Sequence, residues 1–282
     1  MGILNRTPDS FADGGRLFDL ARALDHAARL VAEGALILDI GGESTRPGAS
    51  RVGVREQIAR VVPLIRAIRA SAGPLAEVAL SVDTTLVEVA RAAIEAGVDA
   101  INDVSGGLDS WVGDRSEMHE LAATSGAGLV LMHRLRPPSE DSFSDRYSRR
   151  PEYVDVVQAV CAALNHLAQS ARRVGVRPMC MALDPGLGFG KDVDDNMALL
   201  RRTPEMVSLG YPIVSGLSLK SFVGRVGFWR ESVPSERLPA TLALSAFHAL
   251  RGASVLRVHD VGAHSRMLEG LGSEQRLSPP GL

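Results

Sequence analysis

The sequence predicts an α/β chain that closes as a (β/α)8 barrel in a single domain over residues 1–282. Three observations carry that prediction. Eight short apolar runs recur along the chain, amphipathic segments of helical period lie between them, and a polar group stands at the end of nearly every run. Strand–helix alternation repeated this often favours a closed parallel barrel, with an open doubly wound sheet as the alternative built from the same elements.

The elements follow in order. "MGIL" (1–4) is the first strand, and Leu20, Leu24, Ala27 and Val31 form the stripe of the first helix. "LILDI" (36–40) precedes a second stripe of Ile58, Val61, Ile65 and Ile68. After "VALSV" (78–82), Thr85 with Glu88 reads as a capping box opening a helix. "VDAIN" (98–102) and "GLVLM" (128–132) come next, followed by residues 134–151, which read as one long mobile loop. Cys161 shares an apolar helical face with Val154, Val157, Leu164 and Ala168 and reads as core. "MCMAL" (179–183) leads into "GLGFGK" (186–191), which lacks the full P-loop pattern and follows "DPG". It reads as a tight turn with Phe189 as a packing wall. Thr203 and Pro204 read as N-cap and first residue of a helix. "YPIVS" (211–215), a helix carrying a structural His248, and "SVLRV" (254–258) complete the set.

Composition narrows the function classes. The chain has 282 residues, 45% hydrophobic, enough for one large core, and its net charge of −2 gives no basic field for nucleic acid or membrane surfaces. Cys161 and Cys180 belong to no CxxC or zinc pattern, no run has the length of a membrane span, and no signal peptide is visible. These features fit a reducing cytoplasm.

The run ends carry Asn5, Asp39, Asp83, Asn102, Met132–His133, Asp184, Ser218–Lys220 and Arg257–His259. Any one of these Asp or Asn residues reads equally well as the cap of the next helix. In a barrel, however, all the ends converge on the carboxyl-terminal mouth, where barrel enzymes keep their sites. Asp83, Asn102, Asp184 and Lys220 suit a heterocycle with an amidine-like edge, since a carboxylate accepts parallel N–H bonds. Arg46, Arg257 and His259, with loop amides, suit a phosphate-type anion. No Ser-His-Asp order, HExxH or cysteine nucleophile stands out. "LDIGGESTRPGAS" (38–50) turns from a buried strand to a polar, glycine-rich loop within three residues, more special residues than a plain turn requires.

Together these motifs resemble the dihydropteroate synthase family. "MGILNRTPDSFADGG", "DIGGESTRPGA", "SVDT", "INDVSGG", "LMH", "LDPGLGFGK", "GLSLKSF" and "RVHDV" follow in that family's order, from residue 1 to about 262. The resemblance implies a TIM barrel that joins p-aminobenzoate to 6-hydroxymethyl-7,8-dihydropterin pyrophosphate, with Mg²⁺ as cofactor, and a homodimer formed through helices near the carboxyl end. It implies that Asp83, Asn102, Asp184 and Lys220 hold the pterin between walls of Met132 and Phe189. Arg257 would stack on the pterin and bind pyrophosphate with His259, and Asn5 would meet the Mg²⁺–pyrophosphate. Phe11, Thr45, Arg46, Pro47 and Ser218 would form the p-aminobenzoate pocket, with Asp13 in the first loop. Asp39 and Asp83, with Arg257 and His259, are the expected catalytic set.

Three positions depart from the family pattern: Arg6 stands where an aliphatic residue is usual, Leu219 where arginine is usual, and Ser215 is uncommon before its glycine. They read first as compensated drift within an active synthase, with an altered p-aminobenzoate pocket or a low-activity paralogue as the alternatives. A pterin-binding methyltransferase module would share the barrel and pterin rim without needing "STRPGA" or the Arg257/His259 pair.

Overall fold

The computed structural model describes residues 1–5 and 16–277. Its strands are β1 (Gly2–Asn5), β2 (Ile37–Gly41), β3 (Ala79–Asp83), β4 (Ala100–Asp103), β5 (Trp111–Val112), β6 (Arg115–Ser116), β7 (Gly128–Met132), β8 (Met181–Asp184), β9 (Ile213–Ser215) and β10 (Ala253–Leu256). All but β5 and β6 form one parallel sheet of eight strands in chain order. Gly2 bridges Val258 in parallel, and the Ile3 N–H donates to the Val258 carbonyl at 2.9 Å, so the last strand's extension returns to the first and closes the barrel. β5 and β6 make a small antiparallel hairpin that the apolar pattern does not signal.

Helices α1 (Arg16–Ala32), α2 (Val54–Arg69), α3 (Pro74–Glu77), α4 (Val87–Ala96), α5 (Glu117–Ser125), α6 (Val156–Arg173), α7 (Val193–Arg201), α8 (Thr203–Val207), α9 (Ser221–Phe228), α10 (Leu238–Leu250) and α11 (Val261–Leu277) lie between the strands in sequence. Val61, Ile65 and Ile68 of α2 are fully buried with Leu38, Ile40 and Leu80 of the sheet, as their helical spacing predicts. A second apolar layer joins Val157, Val160 and Leu164 of α6 to Leu129, Leu131 and Leu183. Among the described residues no helix is long and apolar enough to cross a membrane.

Several local readings need correction. β7 keeps the predicted limits of 128–132 and β9 ends as read at Ser215, but the other strands are shifted or shortened by one or two residues, and Met179 and Cys180 form a 3-10 turn after Pro178 instead of opening β8. Leu86 precedes α4 with no side-chain cap, so Thr85 and Glu88 make no capping box; Thr84 Oγ accepts from the Leu86 N–H at 3.2 Å. Thr203 turns back and donates to the Leu199 and Leu200 carbonyls, finishing α7, and leaves the N-cap position of α8 to Arg202. Val154 lies before α6 begins and is exposed, while Val157, Leu164 and Ala168 are buried around a half-buried Cys161. Residues 134–151 are tied down rather than free. Asp141 accepts from the Gly190 N–H at 2.7 Å and from the Tyr147 hydroxyl, and Asn196 reaches the Ser144 hydroxyl at 3.2 Å.

Helix α10 buries its polar face. Thr241, Ser245 and His248 point inward and meet the Leu219 N–H at 3.2 Å, His264 Nε2 at 3.2 Å and the Ser215 hydroxyl at 2.7 Å. Leu244 and Phe247 pack half-buried against the core beside this polar face, while Leu250 at the helix end is 71% exposed. Ser215, uncommon at its position, therefore has a local partner in His248.

Candidate active site

Parallel register builds the site in layers. Asn5, Gly41, Asp83 and Asn102 are neighbours across β1 to β4, and Met132 pairs with Asp184 across β7 and β8. Side chains alternate along a strand, so residues in register share a face. Asp39 is not at a strand end. It pairs with Ser81 one layer below the rim, fully buried, and its carboxylate accepts from Ser81 Oγ at 2.5 Å, Asn102 Nδ2 at 3.0 Å and Arg257 Nε at 2.6 Å.

Arg257 follows β10 and spans the mouth. Its Nε holds Asp39 and its Nη2 holds Asp83 Oδ2 at 2.6 Å, which crosslinks three strands. The two carboxylates hold the guanidinium by its edge and fix its plane at the mouth. Asp83 Oδ1 is buried with no hydrogen-bond partner. A buried carboxylate oxygen left without a donor is costly, so this atom marks where a ligand N–H is needed. Burial pushes the Asp83 pKa up to about 7, with Arg257 opposing the shift and Asp39, Asp103 and Glu43 adding to it.

The opposite rim comes from the β8 loop. Asp184 Oδ1 accepts from the Gly186 N–H at 2.7 Å, leaving Oδ2 without a partner among the described residues. Burial raises the Asp184 pKa against the pull of Lys220. The Lys220 ammonium donates to the Leu187 carbonyl and lies 4.3 Å from the centre of the Phe189 ring. Burial lowers its pKa to about 8. Met132 and Phe189 pack together with Val104 in a small apolar cluster. The expected polar groups and their two walls thus come together around one mouth.

Thr45 and Pro47 are half-buried on the loop after β2, and Arg46 is exposed at its tip. The turn is made by the Ala49 N–H donating to the Arg46 carbonyl at 3.0 Å, with Gly48 at φ 76°. Glu43 forms the loop's root, accepting from the Val52 N–H at 2.8 Å and from Gln57 Nε2 at 2.9 Å. Ser218 Oγ lies 3.0 Å from His259 Nδ1, so a residue assigned to the p-aminobenzoate pocket touches one assigned to the anion pole. Packing around the imidazole, then the charges of Arg257, Arg46, Lys220 and His264, hold the His259 pKa below its ordinary value. Arg6, Phe11 and Asp13 lie outside the described residues.

Three important side chains were given no role by sequence reasoning. Lys191 is fully buried, and its ammonium meets Phe189 O at 2.8 Å, Gly186 O at 3.1 Å and His133 Nδ1 at 2.9 Å. Gly186, Gly188 and Gly190 all have positive φ, and a Cβ on Gly186 would overlap the His133 carbonyl. A lysine placed directly after three alternating glycines was the available signal. Asp103 shapes the next loop by accepting from the Ser105 N–H at 2.7 Å and the Gly107 N–H at 2.8 Å. Glu43, which roots the loop after β2, is the third.

Comparison with known proteins agrees with this arrangement. The model of the family described as "Pterin binding enzyme" matches residues 1–259. Dihydropteroate synthase of Streptococcus pyogenes is 42% identical over 94% of this chain and 91% of its own length. A probable bifunctional folylpolyglutamate synthase/dihydropteroate synthase of Haloferax volcanii is 44% identical over 93% of this chain, which spans 29% of that longer protein. Xanthomonas albilineans dihydropteroate synthase, solved with 4-aminobenzoic acid, superimposes with a TM-score of 0.85 at 38% identity, covering 99% of this chain and 93% of that one. Matches of this identity and coverage, on a barrel whose mouth carries the family's motifs, place the chain in the pterin-binding enzyme family, among the dihydropteroate synthases of folate biosynthesis.

Proposed function

We propose that the mouth condenses p-aminobenzoate with 6-hydroxymethyl-7,8-dihydropterin pyrophosphate, giving 7,8-dihydropteroate and pyrophosphate. The observation that supports this most directly is Asp83 Oδ1, buried without a hydrogen-bond partner, at the same mouth as the buried Asp184 and the apolar cluster of Met132 and Phe189. A flat pterin offers N–H groups to both carboxylates and ring faces to the apolar cluster. Asn102, Lys220 and Asp184 orient it. Asp39 is saturated by its three partners and acts by holding Arg257 and Asn102 rather than by taking a proton.

At the other pole Arg257, Arg46 and His259 face the leaving group, and Thr45, Pro47 and Ser218 receive the p-aminobenzoate. Charge that grows on the departing oxygen meets fixed donors, so the chain needs no nucleophile of its own. Mg²⁺ fits this donor set. Asn5 Oδ1 points at Gly41, lying 2.8 Å from where a Cβ would stand, so only glycine leaves the amide oxygen that room. Among the described residues no cluster of three His, Cys, Asp or Glu forms a metal cage. Magnesium commonly keeps several waters and takes one or two protein oxygens plus substrate phosphates, which matches a single amide oxygen beside a pyrophosphate. When bound, the ion would neutralise charge on the leaving group.

Leu219, where the family usually has arginine, supports an altered p-aminobenzoate side and hence an altered response to sulfonamides. A homodimer through helices near the carboxyl end rests on the family resemblance, since Leu244 and Phe247 of α10 pack against the core and Leu250 is its one well-exposed large apolar side chain among the described residues. The two free thiols fit a cytoplasmic location.

The test is a steady-state assay with both substrates, measuring pyrophosphate. Release that depends on p-aminobenzoate and yields 7,8-dihydropteroate is expected. Pterin binding without p-aminobenzoate-dependent release would refute the proposed reaction.

A further inference from the structure

We infer that Ser218 is a positioning residue that fixes His259 as the neutral tautomer protonated on Nε2, so that the imidazole presents an N–H to the anionic leaving group. The geometry is reciprocal. The Ser218 hydroxyl oxygen accepts from the His259 backbone N–H at 3.2 Å and lies 3.0 Å from the same residue's Nδ1. A serine hydroxyl has one proton to donate. Among the described residues Nδ1 is the only acceptor within hydrogen-bond distance of the Ser218 hydroxyl, and Ser218 is 6% exposed, so water offers little competition. With its hydroxyl proton directed at Nδ1, that nitrogen must be the acceptor, and the ring's own proton resides on Nε2. Nε2 has no partner among the described residues, and His259 keeps exposed surface at the rim although neighbouring residues crowd its ring.

The surroundings keep the ring uncharged. Arg257, Arg46, Lys220 and His264 are the charged or titratable neighbours whose fields reach it, and all disfavour a second proton. Asp39, below the rim, and Asp83, on it, are already engaged by Arg257, and the neighbouring Asp260 accepts from the Ala263 N–H at 2.8 Å. His259 therefore adds a directional donor to the anion pole, while the positive charge comes from the arginines. It does not act as an acid toward the leaving group, because an imidazole with a single proton is a very weak acid. The hydroxyl also links the two substrate regions, since the residue beside p-aminobenzoate sets the state of the residue beside pyrophosphate. The use made of the tautomer rests on the reaction proposed above; the tautomer itself does not.

The experiment is nitrogen-15 NMR of the full chain labelled in its histidine rings, with His259 assigned by the signals lost in His259→Gln. Wild type should show Nδ1 without a proton and Nε2 protonated, unchanged between about pH 6 and pH 8. Ser218→Thr keeps the hydroxyl and should keep this pattern; Ser218→Ala should give mixed tautomers. A wild-type ring protonated on Nδ1, or on both nitrogens at neutral pH, overturns the inference, and so does a wild-type pattern in Ser218→Ala. Calorimetric titration with inorganic pyrophosphate forms the second arm. Affinity should fall about two- to tenfold in Ser218→Ala, the range for one neutral hydrogen bond, and stay near wild type in Ser218→Thr. A tautomer shift with unchanged pyrophosphate affinity upholds the inference and refutes the placement of His259 at the anion pole.

Discussion

Asp184→Asn isolates one oxygen atom. Asp184 is 5% exposed, and its Oδ1 is held by the Gly186 N–H at 2.7 Å. In the variant the amide oxygen must stay on that N–H, because the amide nitrogen there would set two donors against each other. The nitrogen then takes the place of Oδ2 and turns a charged acceptor into a neutral donor. Losing one charge-assisted hydrogen bond costs about 1.5–3 kcal/mol, which is about 10- to 150-fold in affinity. Stability should move little. Burial raises the Asp184 pKa, so removing the charge relieves desolvation, while Lys220 and Lys191 lose a favourable neighbour. Titration calorimetry with the pterin substrate reads the affinity, and a thermal melt reads the fold. An intact melt with affinity reduced by less than about threefold would show that Oδ2 does not meet the ligand, since even a weak charged bond exceeds that.

Lys191→Met should destabilise the chain by about 2–4 kcal/mol, because buried acceptors without a donor cost about 1–3 kcal/mol each while relief of the buried charge offsets part of it; the loss should also weaken pterin binding through Phe189, and an unchanged urea midpoint would refute the ammonium's role as the loop's centre. Leu219 has a φ of 59° whereas the neighbouring Leu217 is 1% exposed in ordinary backbone. Leu219→Gly should therefore stay within about 1 kcal/mol of wild type, since relief of left-handed strain offsets lost packing, while Leu217→Gly should cost about 3 kcal/mol or more in the same denaturation experiment. Burial lowers the His248 pKa from 6.5 to about 4. Its neutral form contributes stability above the unfolded value that is lost as pH falls toward the folded one, so stability should drop between pH 6.5 and about 4. His248→Asn should flatten that slope by up to about 1.4 kcal/mol per pH unit, and denaturant melts at several pH values would show an unaltered slope if the reasoning fails.

The alternation of apolar runs and helical stripes determined the eight strand–helix units, because period and length are local properties that the backbone must obey, whereas closure into a barrel was decided by the return of Val258 to Gly2 and Ile3. The alternation also placed Asp83, Asn102, Met132 and Asp184 at or beside strand ends, and parallel register then brought them to one mouth. The long motifs were legible for the same reason: glycines, prolines and charged residues at set spacings state local backbone geometry directly. Caps were less legible. Thr203 can satisfy either the end of one helix or the start of the next, and only the approach of the Leu199 and Leu200 carbonyls decides between them.

Other assignments depended on atoms distant in the chain. Asp39 and Arg257 are 218 residues apart, and their 2.6 Å contact makes Asp39 an internal anchor instead of a rim group. Lys191 ends a glycine-rich turn in the sequence, yet it becomes that turn's centre because three positive-φ glycines direct carbonyls onto it. The inward polar face of α10 contradicts the usual reading of an apolar-rich helix, and its partners lie on β9, its following loop and α11. Ser218 and His259 belong to separate motifs 41 positions apart, and their hydrogen bond exists only after the barrel closes. Sequence states which groups are available and which backbone each stretch prefers. Tertiary packing decides which donor finds which acceptor, because hydrogen bonds and desolvation act over a few ångströms of space and not along the chain.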